Sequence, residues 1–278
     1  RQVSARFFAV QLLGQAYGPD VLKLVVARLL GVAQTAIFGF AQSITDMIRN
    51  YLPAHLLVGW VRPLLVSRYV ERRDFAELTM LTNLVLKSNL FGVAPLVAYF
   101  ALHGDAFGAL VSGGKYPAAG ALLMWLSVLI AFQTVHLVLS LVTITVEGAG
   151  ANIIASIASC AGLPLAVALA PHFGVVGVAW SLIAGELIWC AVAWIMLGRN
   201  GVRLVAERLG HVKIIGAAAL SFVFARALGS GDVTWPACVV NLLLTGVVFL
   251  AVSAILKPFT DDERAVFGKF LPLRWFVW

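Results

Sequence analysis

Gly39, Gln42, Asp46, Arg49 and Pro53 recur at spacings of three and four. On a helix turning 100° per residue they fall within roughly 80° of one another, with Asn50 just beside them. A carboxylate and a guanidinium at i,i+3 can pair with each other, or the guanidinium can offer its planar fork of donors to an anionic group. Thr79, Asn83, Lys87 and Leu90 share a second such face, and Gln133, His136, Ser140, Thr143 and Glu147 a third. Asn152, Ser156 and Ser159 make a fourth, Asp20 and Lys23 lie together near Arg28, and Glu186 stands alone. Patterns for bond-making chemistry are absent. The stretch from Gly108 to Tyr116 resembles a phosphate-binding loop, but Lys115 comes one position late and no Ser or Thr follows it. Gly148 and Gly150 lack the third glycine of a dinucleotide turn. There is no HExxH, no GxSxG and no His/Cys/Asp/Glu cluster at metal spacing, so no catalytic residue, metal or cofactor is expected.

The elements that must carry these residues are membrane helices. Of 278 residues, 61% are apolar and 12% charged, and mean hydropathy is +0.95. A soluble domain has about 45–50% apolar and about 25% charged residues, and lacks the interior to hide this much apolar surface. The apolar runs are continuous over about 20 residues, which excludes a membrane β-barrel with its shorter alternating strands. Cys160, Cys190 and Cys238 sit in apolar stretches without partners and read as small apolar residues. The fold class expected is all-α, a polytopic membrane bundle of about eight helices. Their ranges are 7–31, 35–66, 78–102, 117–146, 153–170, 175–197, 212–228 and 237–256.

Loop charge orients the bundle. One set of connections holds Arg1, Arg6, Arg68, Arg72, Arg73, Arg199, Arg203, Arg208, Lys213, Lys257, Arg264, Lys269 and Arg274; the alternate set holds only Lys115. Thirteen against one places both termini in the cytoplasm by the positive-inside rule. The same rule accounts for the net charge of +7 without a nucleic-acid partner. The tail 257–278 mixes Asp261, Asp262, Glu263, Arg264 and Lys269 with aromatics, and reads as an interfacial segment with Trp275 and Trp278 at the headgroups.

Inside the spans, ionisable groups face partners or water. Pro53 has no N–H and collides with the Arg49 carbonyl, so the second helix should bend there as a hinge and expose that acceptor. Lys87 is expected near mid-membrane. The fourth-helix seam and the fifth-helix Ser/Asn stripe can also be interhelical glue, and Lys23, Arg28, Arg62 and Arg226 can snorkel to an interface. Taken together, the stripes suggest a hydrated central cavity of basic character, lined by Arg49, Lys87, Asp46, Asp20, Lys23, Gln42, Asn83, Gln133 and His136.

Four stretches carry a family resemblance. They are Gly18 through Lys23 to Gly31, leading into Phe38–Gln42; Arg62-Pro63 to Arg68-Tyr69; Gly113–Ala119; and His172-Phe173-Gly174 through Gly177 to Trp180. In that order, at those helix boundaries, they resemble the polysaccharide-transporter branch of the multidrug/oligosaccharidyl-lipid/polysaccharide exporter superfamily, over roughly residues 7–200. The resemblance implies a flippase for undecaprenyl-pyrophosphate-linked oligosaccharide in the bacterial inner membrane, serving O-antigen or exopolysaccharide assembly by alternating access. It implies one six-helix lobe in 1–200, with two further helices and a cytoplasmic interfacial tail in 201–278. The chain then looks like a C-terminal half that requires a first lobe, and an isolated half should not transport. Arg49 and Lys87 would contact phosphate or acidic sugar, with Asp46 and Asp20 orienting them. Two alternatives stand beside this. A cation-coupled drug exporter of the same superfamily would use Asp46, Glu186 or Asp20 for H+ or Na+, and a non-transporting lobe would act as a scaffold. A net basic cavity favours the first reading, a net acidic one the drug exporter.

Overall fold

A computed structural model describes residues 18–55, 75–146, 149–202 and 207–270. Its elements, in chain order, are α1 (Pro19–Leu30), α2 (Val32–Asn50), α3 (Phe75–Val111), a 3-10 turn at Pro117–Ala119, α4 (Gly120–Thr145), α5 (Ala149–Ser159), α6 (Gly162–Arg199), α7 (Arg208–Leu228), α8 (Trp235–Leu256) and α9 (Asp261–Phe270). Among the described residues there is no strand. Among the described residues, five stretches are long and apolar enough to cross a membrane: Thr79–Val111, Pro117–Thr145, Gly150–Arg199, Arg208–Leu228 and Trp235–Leu256. The third of these holds two of the expected segments. Gly174 breaks α6 at φ 60°, ψ −145°, a conformation that suits a residue without Cβ, where the sequence places the turn between the fifth and sixth helices. The chain is therefore a multi-pass, all-α membrane bundle.

The main core joins α1, α2, α3, α4 and α6 through Leu22, Phe38, Phe100, Leu122, Leu126 and Val178. Leu139 and Val142 of α4, Ala155 of α5 and Trp189 and Ala193 of α6 form a second cluster. The α7–α8 pair packs on α3, with Ala94, Ile214, Ala217 and Phe249 buried between them.

Three boundaries differ from the sequence expectation, each for a local reason. The third helix does not stop at residue 102. It continues to Val111, because the polar residues there bond across to α4: the Gly120 N–H donates to Asp105 Oδ1 at 2.9 Å. A Cβ on Gly104 would lie 2.7 Å from the Gly120 Cα, so the two backbones meet at a crossing only glycine allows. The fifth span is interrupted at Cys160-Ala161, where the Ser159 hydroxyl bonds back to the Ser156 carbonyl and Pro164 withholds the N–H that would reach Cys160.

The second helix ends instead of bending through. Tyr51 N–H donates to the Ile48 carbonyl and Leu52 N–H to the Arg49 carbonyl, both at 3.1 Å, and a new helical turn starts at Pro53. The Arg49 carbonyl is thus satisfied by a tightened final turn, not left open as the proline argument required. The rest of the expected second span, including Arg62, lies outside the described residues.

Candidate functional site

The polar residues of α2 face a groove in an otherwise apolar wall. Phe38, Gln42, Thr45, Asp46 and Arg49 of α2 face Leu126, Leu129, Ile130 and Gln133 of α4 and Leu182 of α6 around this small groove. Arg49 Nη2 meets Asp46 Oδ1 at 2.9 Å, and Arg49 Nη1 donates to Gln133 Oε1 at 3.2 Å. The guanidinium is therefore fixed from its own helix and from across the groove. Gln42 Oε1 is buried and has no partner among the described residues, so the groove retains one amide oxygen not used by the fold. The ion-paired residues Asp46 and Arg49 thus line the groove.

Lys87 is not in this groove, and it is not at mid-membrane. It is completely buried where α7 begins and α8 ends. Its Nζ pairs with the Glu207 carboxylate, donates to Glu263 Oε2 at 2.8 Å, and points to the Pro258 carbonyl at 3.5 Å. Asn83 joins the same cluster, its Oδ1 accepting from the Glu207 N–H at 3.3 Å. The reason for the misplacement is length. At 1.5 Å per residue a 37-residue helix is about 55 Å long, well beyond a hydrocarbon core of about 30 Å, so Lys87 falls level with the ends of its neighbours. The partners had partial signals. Thr260-Asp261-Asp262-Glu263 is a capping-box pattern, and Thr260 N–H indeed donates to Glu263 Oε2 at 2.8 Å. Glu207 caps α7, accepting from Gly210 N–H at 3.1 Å.

The polar seam of α4 also separates. Gln133 goes to Arg49 on α2. His136 Nδ1 lies 2.7 Å from Glu186 Oε2 on α6. Thr143 donates to Asn152 Oδ1 on α5 at 2.6 Å, and Asn152 Nδ2 to Ser140 at 3.4 Å. One stripe thus ties three neighbours in turn, and only its first member lines the groove; Glu147 lies outside the described residues. Lys23 pairs with Asp20 at 3.0 Å on exposed α1, and neither lines the groove. Of the nine residues assigned to one cavity, the structure brings together Gln42, Asp46, Arg49 and Gln133. His136 sits one turn from Gln133. Asn83 and Lys87 form a separate buried cluster, and Asp20 and Lys23 a third site.

Among the described residues no group of three or more His, Cys, Asp or Glu is arranged to hold a metal.

The architecture defines a class, a polytopic all-α membrane helix bundle. The particular structure it resembles is one described as the lipid II flippase MurJ in an inward-closed conformation, at a TM-score of 0.59 and 15% identity. The match covers 90% of this chain and 54% of that one, so the chain spans about half the length of the structure it matches. No family model and no curated protein matches the sequence.

Proposed function

We propose that the chain is one lobe, with two further helices, of a flippase that moves a lipid-linked oligosaccharide across the bacterial inner membrane. The observation that carries this is the groove: an ion pair and two amides on an apolar wall, in a chain that shares the fold of a lipid-linked flippase. A lipid-linked headgroup needs polar contacts in the protein while its tail stays in the bilayer. The completing lobe, lying outside this chain, would close the opposite wall. The groove is not the basic cavity expected from the sequence. With Lys87 held by two carboxylates, the charge of the groove residues sums to zero, Arg49 against Asp46. The sign of the groove therefore does not separate the two exporter readings. The oligosaccharide reading is supported by the amides, which suit sugar hydroxyls that both donate and accept.

The test uses cells carrying the complete two-lobe protein, with export of the sugar polymer and membrane protein level measured together. Arg49→Lys retains charge but loses the fork that reaches both Asp46 and Gln133, and is expected to reduce export at normal protein level. The double variant Asp46→Asn with Arg49→Gln leaves no charge unpaired. If it restores export lost in either single variant, the pair serves structure alone and the groove has no role in the headgroup. Continued loss at normal protein level supports the proposal.

A further inference from the structure

The His136–Glu186 contact remains unused by the groove. His136 lies 16 residues from the start of α4 and 9 from its end, about 24 and about 14 Å along the axis. Glu186 lies 12 residues past the break at Gly174 and 13 before Arg199, about 18 and about 20 Å from those points. Both are therefore well inside the bilayer, where an ionisable pair on two different helices is costly unless it is used. The imidazole is held in place. Its ring stacks on Trp189 with centroids 3.6 Å apart and planes at 10°, and Trp189 is itself fixed by its Nε1–H donating to the Ser156 hydroxyl at 3.2 Å.

We propose that His136 and Glu186 form an intramembrane proton-binding site that takes one proton per chain and exchanges it at His136 Nε2. The geometry assigns the atoms. Glu186 Oε2 sits at Nδ1, so it selects the tautomer with hydrogen on Nδ1 and leaves Nε2 as the nitrogen that gains or loses a proton. Nε2 has no partner among the described residues, and the side chain is 36% exposed. The charge balance follows. With neutral imidazole and ionised Glu186 the pair carries −1. A proton transferred from water to Nε2 gives imidazolium against carboxylate, net zero, with the cation on the face of an indole. Release reverses this: Nε2 returns its proton to water and the pair is again −1. In hydrocarbon the neutral form is the cheaper one, so release requires water or a cation to reach the pair.

The charges on the helices around the pair are already compensated. On α6, Cys190 follows Glu186 by one turn, with its Sγ 3.9 Å from the Phe132 carbonyl. From α2 the charges are Arg49 and Asp46, already paired to each other and tied to Gln133. From α3 and α5 the polar contacts to α4 and Trp189 are neutral, Asn89 on Thr134 and Ser156 on Trp189. Lys87 on α3 is enclosed by its own two carboxylates. Because Gln133 lies one turn from His136 on α4, proton occupancy is placed beside the Arg49 clamp. The use of that proton to drive translocation rests on the flippase reading; the site itself does not.

The experiment is nitrogen-15 spectroscopy of the histidine-labelled chain in lipid nanodiscs, with the His136 signal identified among five histidines by its loss in His136→Gln. Between pH 5 and 9, His136 should take up one proton, and its neutral form should carry hydrogen on Nδ1. Glu186→Leu should remove that tautomer preference, whereas Glu186→Gln, whose amide oxygen can still accept from Nδ1–H, should keep it. An invariant His136 signal across the range, or the same tautomer ratio in Glu186→Leu as in the unaltered chain, overturns the site. Because the unaltered chain supplies the first readout, a variant that fails to fold does not remove the test. In vesicles carrying the two-lobe protein, absence of oligosaccharide-lipid translocation with the His136 titration intact overturns the proposed function and leaves the proton site standing.

Discussion

Replacing Lys87 with methionine retains the length of the stem and removes the charge. In the unaltered cluster one ammonium faces two carboxylates, a sum of −1; in Lys87→Met the sum becomes −2, with Glu263 buried and Glu207 partly so. Removing one partner of a buried pair costs about 3–5 kcal/mol, because the remaining charge is left without compensation. At about 2–4 °C per kcal/mol for a chain of this size, a loss near 4 kcal/mol lowers the melting temperature by about 8–16 °C. Glu263→Gln runs the other way. It brings the sum to zero, retains an amide oxygen to accept from Thr260 N–H, and should cost under about 1 kcal/mol. The triple variant, Lys87→Met with Glu207→Gln and Glu263→Gln, removes every charge and should recover most of the loss. The assay is thermal unfolding of the purified chain in detergent and in nanodiscs. A Lys87→Met protein melting within about two degrees of the unaltered chain, or a triple variant no better than the single, refutes the account.

Two further outcomes follow from the structure. Gly104→Ala should destabilise by about 1–3 kcal/mol, because its Cβ meets Gly120 backbone and not a movable side chain, whereas Gly216→Ala on α7 meets nothing within 4 Å and should stabilise by up to about 1 kcal/mol; comparative melting of the two variants reads both signs. In a cysteine-free background, a single cysteine at Lys115 or Asp232 should react with an impermeant thiol reagent outside intact cells and one at Asn200 or Asp262 should not, and the reverse pattern overturns the orientation drawn from loop charge.

What was legible in the sequence was what repeats along a helix. The 3.6-residue period put Gln42, Asp46 and Arg49 on one face, and the groove confirms that they share it. Gly174 marked a turn, and the structure has its break there. Periodicity gives a face but not the neighbour it meets. Gln133, His136 and Thr143 form one stripe, yet they pair with three different helices, and those contacts span separations of 84, 50 and 9 residues. Depth was harder still. Hydropathy alone does not fix the residue from which the depth of Lys87 is counted, and the helix runs longer at both ends than hydropathy indicates. His103, Gly104 and Asp105 read as loop because they are polar or small, but their polarity is spent on contacts between α3 and its neighbours. The tail carries a local signal, the capping box whose Glu263 also satisfies Lys87.

The pairing of Lys87 with Glu263 crosses 176 residues of chain, and this has a consequence during synthesis. Ribosomes add about 5–20 residues per second, so α3 precedes its last counter-charge by roughly 10–35 s. Glu207 arrives first and offers one carboxylate, and the second follows only when the start of α9 has left the ribosome. Through that interval the lysine must stay near the headgroups, and α3 is free to slide or tilt to keep it there. Arrival of Glu263 ends that freedom and fixes the depth of α3. A nascent chain stopped short of that point carries a lysine without the carboxylate that completes its buried pairing.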